Sequence, residues 1–189
     1  MKTALLVVDM SVEQVANLSP NRTRTIVKTI QQLSTAVPWT LQLDSRLWLA
    51  NPAESTLSTV YPEWGVTMGI PDSPGAALIP ELLPTLRNSK WQFVPKKNYS
   101  SFVDSPLLDL LRKHNITHLF ITGINTDYCI FNTAMDSFAR AKVKTYVVEQ
   151  GVGSISGRAG HEQGLSWIRA HLGPQAVVSV QQVVDQTFD

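Results

Sequence analysis

The stretch that decides the fold is residues 118–150, HLFITGINTDYCIFNTAMDSFARAKVKTYVVEQ. It opens with an apolar run, His118–Thr122, which Gly123 closes, and it ends with a second run, Val143–Val148. The pattern of Ile130–Ala141 between them predicts a helix. Two apolar runs joined by a helix are typical of two parallel strands, because the helix carries the chain back across the sheet.

The same alternation continues on both sides of this stretch. Further apolar runs predict strands, and further segments with apolar residues at helical spacing predict helices. The strands are Ala4–Val8, Trp39–Leu43, Trp91–Val94 and Ala176–Val180, and the helices are Thr23–Val37, Leu107–Leu111 and His161–His171. Continuous apolar strands separated by helices predict a single α/β domain over residues 1–189. We expect three layers, α/β/α, around a six-stranded, mostly parallel sheet.

Composition narrows the possible partners. The 189 residues carry 16 Lys+Arg against 15 Asp+Glu, so no basic excess points to nucleic acid or to an anionic membrane. No run approaches the roughly 18 apolar residues of a membrane span, and no targeting segment is visible. A single cysteine excludes an internal disulfide and suits a reducing compartment. We therefore expect a cytoplasmic protein that binds neither nucleic acid nor a membrane.

Reactive side chains follow three of the predicted strands. Asp9 ends the first, Lys96 and Lys97 follow the third, and Cys129 comes six residues after Gly123. The carboxyl ends of parallel strands share one edge of a sheet, which is where such sheets bind ligands. An acid, an amine and a thiol are therefore expected to converge at that edge.

This combination suits nucleophilic catalysis by a thiol. Cys129 lies in the first turn of a predicted helix with Thr126 as N-cap, and a helix N-terminus and a nearby lysine both lower a thiol pKa. A carboxylate within reach can take the thiol proton and later activate water, while backbone amides of the turn can hold an oxyanion. The alternative is structural, because a lone cysteine is commonly a small buried apolar residue.

A glycine-rich stretch and a long irregular stretch are two further candidates for functional loops. Gly151–Gly157, GVGSISG, is one residue too long for a dinucleotide-binding loop, and we expect a flexible loop beside the active site instead of a cofactor site. The irregular stretch 45–78 is long for a compact domain. Its aromatic residues predict an ordered lid or an oligomer contact; they are Trp48, Tyr61 and Trp64.

Three motifs together resemble a known family. They are ALLVVDM with Asp9, PKKNYSSF with Lys96, and residues 121–150 with Cys129. Weaker matches are PGAALIPEL, residues 74–82, and HEQGL, residues 161–165. In this order they resemble the isochorismatase-like cysteine hydrolase superfamily, which includes nicotinamidases, N-carbamoylsarcosine amidases and ureidoacrylate amidohydrolases.

The resemblance implies roles for individual residues. Asp9 would be the general base and Cys129 the nucleophile. The pattern K-x-x-Y-S-x-F selects Lys96 as the active lysine, with Lys97 as the alternative in a shifted register. The peptide bond before Asn125 would be cis, and the backbone amides of Asn125 and Cys129 would form the oxyanion hole.

The resemblance also bears on the pocket and the assembly. Three aromatic residues near the motifs are candidates for walls of the substrate pocket: Tyr99, Phe102 and Tyr128. Members of the family usually form dimers or tetramers, which implies a homo-oligomer.

Departures from the family pattern narrow the range of reactions that the resemblance implies. Ser11 stands where members commonly carry glutamine, and Asp44 is followed by Ser-Arg-Leu-Trp with no histidine before His114. The metal-binding pattern of nicotinamidases is therefore missing, and we predict no metal, no cofactor and no nicotinamidase activity. Because Cys129 is present, hydrolysis of a carboxamide or ureido C–N bond through a thioester is favoured over isochorismate-type cleavage. The alternatives are isochorismate-type hydrolysis, a non-catalytic binding protein on the same fold, and a nucleotide-binding domain.

Overall fold

A computed structural model of the chain describes residues 1–51, 53, 55–63, 68–87 and 90–188. Within these residues, six strands form one sheet in the order β3-β2-β1-β4-β5-β6, and every neighbouring pair is parallel. The strands are β1 Thr3–Val8, β2 Leu41–Leu47, β3 Trp91–Lys96, β4 His118–Ile124, β5 Lys144–Gly153 and β6 Val177–Val178. The predicted fold class is confirmed, and the sheet is entirely parallel.

Helices cover both faces of the sheet. The α-helices are α1 Val12–Val15, α2 Pro20–Ala36, α3 Thr56–Val60, α4 Leu83–Leu86, α5 Leu107–Lys113, α6 Phe131–Asp136, α7 Gly157–Leu172 and α8 Val180–Val184. Two π turns flank α6, at Thr126–Ile130 and Ser137–Ala141, and short 3-10 turns lie at Pro80–Leu82 and Pro174–Ala176.

An apolar core lies on each face of the sheet, because successive side chains of the central strands point to opposite faces. Leu6 of β1 packs on one face with residues of α5, α6 and α7, whereas Leu5 packs on the other face with residues of α2 and α8. Successive side chains of a strand point to opposite faces, so a strand buried on both sides must be apolar throughout. The continuous run ALLVV of β1 is buried along its whole length.

Helix α2 begins and packs as its local sequence predicts. The Ser19 side chain accepts a hydrogen bond from the Arg22 backbone N–H, at 3.4 Å, and Pro20 occupies the first helical position. Both features are typical of a helix start. The predicted apolar stripe, which includes Ile26 and Ile30, is buried against the sheet.

The order of the strands creates a crevice at the carboxyl edge. The chain builds outward from β1 in one direction and from β4 in the other, and such a switch point is where open α/β sheets bind ligands. Gly123 lies opposite Val8 across β1 and β4, with φ +107°. A Cβ at Gly123 would lie 2.0 Å from the Val8 carbonyl oxygen, so the close approach of these strand ends requires glycine.

Most boundaries differ from the prediction by a few residues, and the predicted strand Ala176–Val180 is reduced to Val177–Val178 because α8 already begins at Val180. The largest extensions are those of β2 and β5. Strand β2 continues to Leu47, because its last residues pair with β3. Strand β5 continues to Gly153, because its end pairs with β4 after a bulge. The expected flexible loop at Gly151–Gly157 is therefore wrong for its first half: Gly151–Gly153 is buried strand, and the connection to α7 is short.

The stretch 45–78 is ordered where it is described. Trp48 packs edge-on against Phe93 of β3, with ring centroids 5.0 Å apart. Leu47, Leu49 and Leu57 form a small buried cluster. Trp64 lies outside the described residues, and a role as lid or oligomer contact stays a prediction. None of the helices in the described part of the chain is long and apolar enough to cross a membrane.

Candidate active site

Asp9 lies directly after β1 and is completely buried. Its backbone is left-handed, with φ 54°, and its N–H donates to the Ser45 carbonyl at 2.8 Å. The Asp9 Oδ1 accepts the Leu47 N–H at 3.1 Å. The end of β2 therefore holds this carboxylate in place and leaves Oδ2 for another partner.

That partner is Lys96, the last residue of β3. Its Nζ lies 2.8 Å from Asp9 Oδ2 and 3.6 Å from Cys129 Sγ, and its side chain is 1% exposed. The ammonium also donates to the carbonyl of Asn98 at 2.8 Å and to that of Tyr99 at 3.4 Å. The lysine in this cluster is Lys96, which the family pattern selects, and not the alternative Lys97. Lys97 follows it on a half-buried stretch, and its carbonyl accepts a hydrogen bond from the Ser55 hydroxyl.

Cys129 lies in the π turn that follows β4. The residue that caps this turn is Asn125, and the predicted N-cap, Thr126, is wrong by one position because the turn already begins at Thr126. The Asn125 carbonyl accepts the N–H groups of Tyr128 at 3.1 Å and Ile130 at 3.0 Å. Cys129 packs in an apolar core, and only 7% of the residue is exposed.

Cys129 faces both other members of the cluster. The Asp9 carboxylate and the Asn125 backbone N–H both lie close enough to the sulfur to act on the thiol pKa, which Asp9 raises and Asn125 lowers. The peptide bond between Ile124 and Asn125 is cis. One of the two amides expected in an oxyanion hole therefore already faces the sulfur, and the other, that of Cys129, belongs to the same turn.

Burial decides the ionisation of the thiol. It raises the pKa of Cys129 to about 12, with a further contribution from Asp9, and outweighs the opposing effect of Lys96. The expectation of a lowered thiol pKa is therefore wrong. Burial alone would lower the pKa of Lys96, but Asp9 and Cys129 outweigh it, and that pKa is raised. In the resting site, a neutral thiol lies beside an ammonium–carboxylate pair.

The three candidate pocket residues separate into two groups. The rings of Tyr99 and Tyr128 lie 5.6 Å apart near the sulfur, Tyr99 hydrogen-bonds with Tyr61, and Tyr128 is 42% exposed. Phe102 is instead buried in the apolar core on which Cys129 also packs. That the opening of the site lies beside the two tyrosines stays a prediction.

Arg46 stands two residues after Asp44, within the stretch where the metal-binding pattern of nicotinamidases is missing. Arg46 pairs with Asp44 at 3.0 Å, donates to the Ala76 carbonyl at 2.5 Å, and lies over the Phe93 ring at 4.8 Å. Burial raises the pKa of Asp44 to about 6, against the lowering effect of Arg46. Within the described residues, no group of three His, Cys, Asp or Glu is placed to hold a metal ion.

Sequence reasoning missed the contacts that hold the Cys129 turn. The Ser154 hydroxyl donates to Asp127 at 2.6 Å, and the Ile155 N–H donates to the Asn125 side chain at 2.9 Å. Thr126 hydrogen-bonds with His161 at 2.9 Å. These partners lie about 30 residues away along the chain, and their sequence carries no signal of the pairing beyond the HEQGL match.

Comparisons with known proteins show the family of this chain. A family model described as the isochorismatase domain matches residues 3–182. A ureidoacrylate amidohydrolase, RutB, from Cronobacter sakazakii is 47% identical over 45 residues, which are 24% of this chain and 19% of that protein. The chain thus matches about a fifth of the length of this curated relative.

Solved structures show the same fold over almost the whole chain. A cysteine hydrolase from Pseudomonas syringae pv. phaseolicola superposes with a TM-score of 0.83 at 21% identity, covering 100% of this chain and 94% of that one. The nicotinamidase SaPncA from Staphylococcus aureus has a TM-score of 0.70 at 27% identity, covering 95% and 98%. An N-carbamoylsarcosine amidase from Thermoplasma acidophilum has a TM-score of 0.74 at 20% identity, covering 95% and 97%.

Proposed function

Because the chain belongs to the isochorismatase family, we propose that it is a cysteine-dependent hydrolase of an amide-like C–N bond in a small molecule. The observation that carries the proposal is the position of Lys96 Nζ, 2.8 Å from the Asp9 carboxylate and 3.6 Å from the Cys129 sulfur. A buried ammonium is stabilised only by such close partners. A structural role for the thiol alone would not require a base on one side and an amide donor on the other.

In the first half of the reaction, Asp9 takes the thiol proton and Cys129 attacks the substrate carbonyl carbon. The new C–S bond moves an electron pair to the carbonyl oxygen, and the backbone amides of Asn125 and Cys129 stabilise that oxyanion. When the oxyanion collapses, the C–N bond breaks and the Asp9 proton passes to the leaving nitrogen. Ammonia or an amine departs, and a thioester remains on Cys129.

In the second half, the Asp9 carboxylate takes a proton from water and the resulting hydroxide attacks the thioester. The C–S bond breaks, the acid product forms, and the proton on Asp9 returns to the sulfur. Lys96 keeps its charge throughout and holds Asp9 toward the sulfur. The raised pKa of Cys129 fits this scheme, because the thiol is to be deprotonated as it attacks.

We propose a carboxamide or ureido compound as the substrate. The names of similar proteins support this class, since they include a ureidoacrylate amidohydrolase and an N-carbamoylsarcosine amidase. The ring pair Tyr99–Tyr128 at the opening suits a planar group that stacks on an aromatic face. The Asp44–Arg46 pair, where a metal pattern would begin, argues for a metal-independent reaction.

Ammonia release from a panel of carboxamides and ureido compounds tests this function. We expect wild-type protein to hydrolyse at least one of them, and Cys129→Ser to lose at least about 10³-fold in kcat. Lys97→Gln is the matched control and should keep its activity within about twofold. Turnover that survives Cys129→Ala would instead indicate isochorismate-type chemistry. Saturable binding without turnover by wild-type protein would indicate a binding protein.

We further propose that the protein forms a homodimer or homotetramer in the cytoplasm. Large apolar side chains on the surface, among them Phe138 and Trp167, provide area that a second copy could cover. Sedimentation velocity on the full chain tests the assembly, and a monomer at micromolar concentration would contradict it.

A further inference from the structure

Three polar side chains from separate elements form a chain that ends at the nucleophile turn. Arg22 of α2 lies with Nη2 2.8 Å from His161 Nε2, and His161 of α7 lies with Nδ1 2.9 Å from Thr126 Oγ1. Thr126 is fully buried and stands three residues before Cys129. None of the three side chains belongs to the Asp9–Lys96–Cys129 cluster, and His161 of α7 is the one that reaches Thr126 from outside the turn.

The chemistry of these groups determines which way each hydrogen bond runs. A guanidinium has donors only, so the ring nitrogen that faces Arg22 must present a lone pair. The proton of a neutral imidazole therefore lies on Nδ1, which donates to the Thr126 hydroxyl oxygen. In agreement, burial and the charge of Arg22 lower the pKa of His161 to about 4, against the raising effects of Glu149, Glu162 and Asp127.

Arg22 is itself fixed to the sheet. The two hydrogens of its Nη2 are shared among three acceptors, which are His161 Nε2, the Glu149 carbonyl oxygen at 2.9 Å and the Val152 carbonyl oxygen. Gly153 leaves room for it, since a Cβ there would lie 2.8 Å from Arg22 Cγ. Arg22, at one end of this series of hydrogen bonds, is thus held on β5, and His161 connects it to the Thr126–Ile130 turn.

The turn also rests against the backbone of α7. A Cβ at Gly164, one helical turn beyond His161, would lie 2.6 Å from the Thr126 carbonyl carbon and 2.7 Å from the Asp127 nitrogen. Residues three apart share a helix face. The same face of α7 therefore supplies a close contact through Gly164 and a directed hydrogen bond through His161.

We propose that His161 is a positioning residue. It fixes the Thr126–Ile130 turn by accepting a hydrogen bond from Arg22 and donating one to Thr126. The proposal rests on the proposed function, because the atoms it positions are the Cys129 sulfur and the amides that would hold the oxyanion. His161 does not touch the reacting atoms. Its effect is to keep the turn closed over the sulfur and aligned with Asp9.

A substrate-independent test measures how fast iodoacetamide alkylates Cys129 at pH 7.5, followed by intact mass. Loss of one buried hydrogen bond is worth about 1 kcal/mol, so Thr126→Val and His161→Leu should open the turn and speed alkylation at least about fivefold. Thr126→Ser keeps the hydroxyl and His161→Gln can accept and donate at once, so both should remain near the wild-type rate. Equal rates in Thr126→Val, His161→Leu and wild type would overturn the proposal.

A stability control separates positioning from general weakening. Ile30→Val removes a methylene from the core on the opposite face of the sheet and should raise the equilibrium constant for unfolding about fivefold. We expect it to leave the alkylation rate unchanged. If Ile30→Val accelerates alkylation as much as Thr126→Val does at equal stability, the effect is global and the positioning role is wrong.

The kinetics of a substrate from the ammonia screen complete the test. Thr126→Val should lower kcat about tenfold with KM nearly unchanged, because a misplaced oxyanion donor affects the transition state more than binding. Thr126→Ser should recover kcat. An active wild type with an unchanged Thr126→Val contradicts the positioning role alone. An inactive wild type contradicts the proposed function, and the alkylation rates then still decide whether His161 holds the turn.

Discussion

Two acid–cation pairs lie side by side at the carboxyl edge of the sheet, and they differ in what surrounds the cation. Lys96 and Asp9, 2.8 Å apart, are each 1% exposed, and the ammonium lies 3.6 Å from the Cys129 sulfur. Arg46 and Asp44, 3.0 Å apart, are 13% and 9% exposed, and the guanidinium lies over an aromatic ring. Similar charges on neighbouring strands therefore serve different purposes.

The difference follows from the shape of the cations. The Lys96 ammonium is a compact charge that can approach a carboxylate and a sulfur at once, whereas the planar guanidinium of Arg46 is suited to stacking and to a carbonyl acceptor. The first pair has a reactive group beside it, and the second ties β2 to the Ala76 carbonyl.

The largest effect should come from Asp9→Asn. It removes the proposed base, so kcat should fall by about 10²–10⁴-fold. It also leaves Lys96 buried without its counter-charge, at a cost of about 3–5 kcal/mol in unfolding free energy. Ammonia release and urea unfolding measure the two effects, and a folded variant with wild-type kcat would show that Asp9 is not the base.

The next effect concerns the thiol beside the first pair. Only the thiolate is alkylated, and the pKa of Cys129 is raised to about 12, so its alkylation rate should climb about tenfold per pH unit between pH 7 and 9. Intact-mass kinetics with iodoacetamide on folded protein record this slope. A rate that levels off near pH 7 would mean that Lys96 outweighs burial and that the resting site holds a thiolate.

A smaller effect is expected at Gly164, which packs under the turn beside the first pair. Gly164→Ala should force the backbone of Thr126 to move, costing about 1–3 kcal/mol of stability and reducing kcat about tenfold.

Gly157→Ala is the matched control for that variant. Gly157 has open space around it but a left-handed backbone, so the variant loses stability without a loss of kcat. Equal kinetics in the two variants would place Gly164 outside the positioning of the turn.

The smallest effect on activity should come from Asp44→Asn, the counterpart of Asp9→Asn in the second pair. We expect kcat within about threefold of wild type, because Asp44 does not touch the reacting groups. Its effect on stability depends on pH. The folded pKa of Asp44 is raised to about 6, so the folded state binds the proton more tightly than the unfolded chain does.

Wild-type stability should therefore fall relative to Asp44→Asn as pH rises from about 4 to about 6, by at most about 3 kcal/mol. Urea unfolding at several pH values measures this difference. A difference with the opposite slope would show that Arg46, and not burial, controls Asp44.

Much of the fold could be predicted from local pattern. The strands and long helices occur where apolar runs and helical spacing place them, with errors at their ends. Strand β2 runs on to Leu47 and β5 to Gly153 because their last residues pair with neighbours that are distant in sequence. Pairing of this kind is not encoded in the residues that extend the strand.

The candidate site was predictable in its members but not in its electrostatics. Three strand ends that share one edge bring Asp9, Lys96 and Cys129 together. The direction of the thiol pKa was predicted wrongly, because the helix terminus and the lysine are visible in sequence whereas the depth of burial is not.

The sequence by itself determined the alternation of strands and helices and the presence of an acid, a lysine and a cysteine after three of the strands. The tertiary structure alone decided that burial raises the pKa of the thiol and that Arg22 and His161 reach Thr126. It also places Lys96, which the resemblance had selected over Lys97, beside Asp9. The physical reason is the distance along the chain over which each effect acts. Periodicity acts within a few residues, whereas burial, hydrogen-bond partners and ionisation depend on groups that only the folded chain brings within about 4 Å of each other.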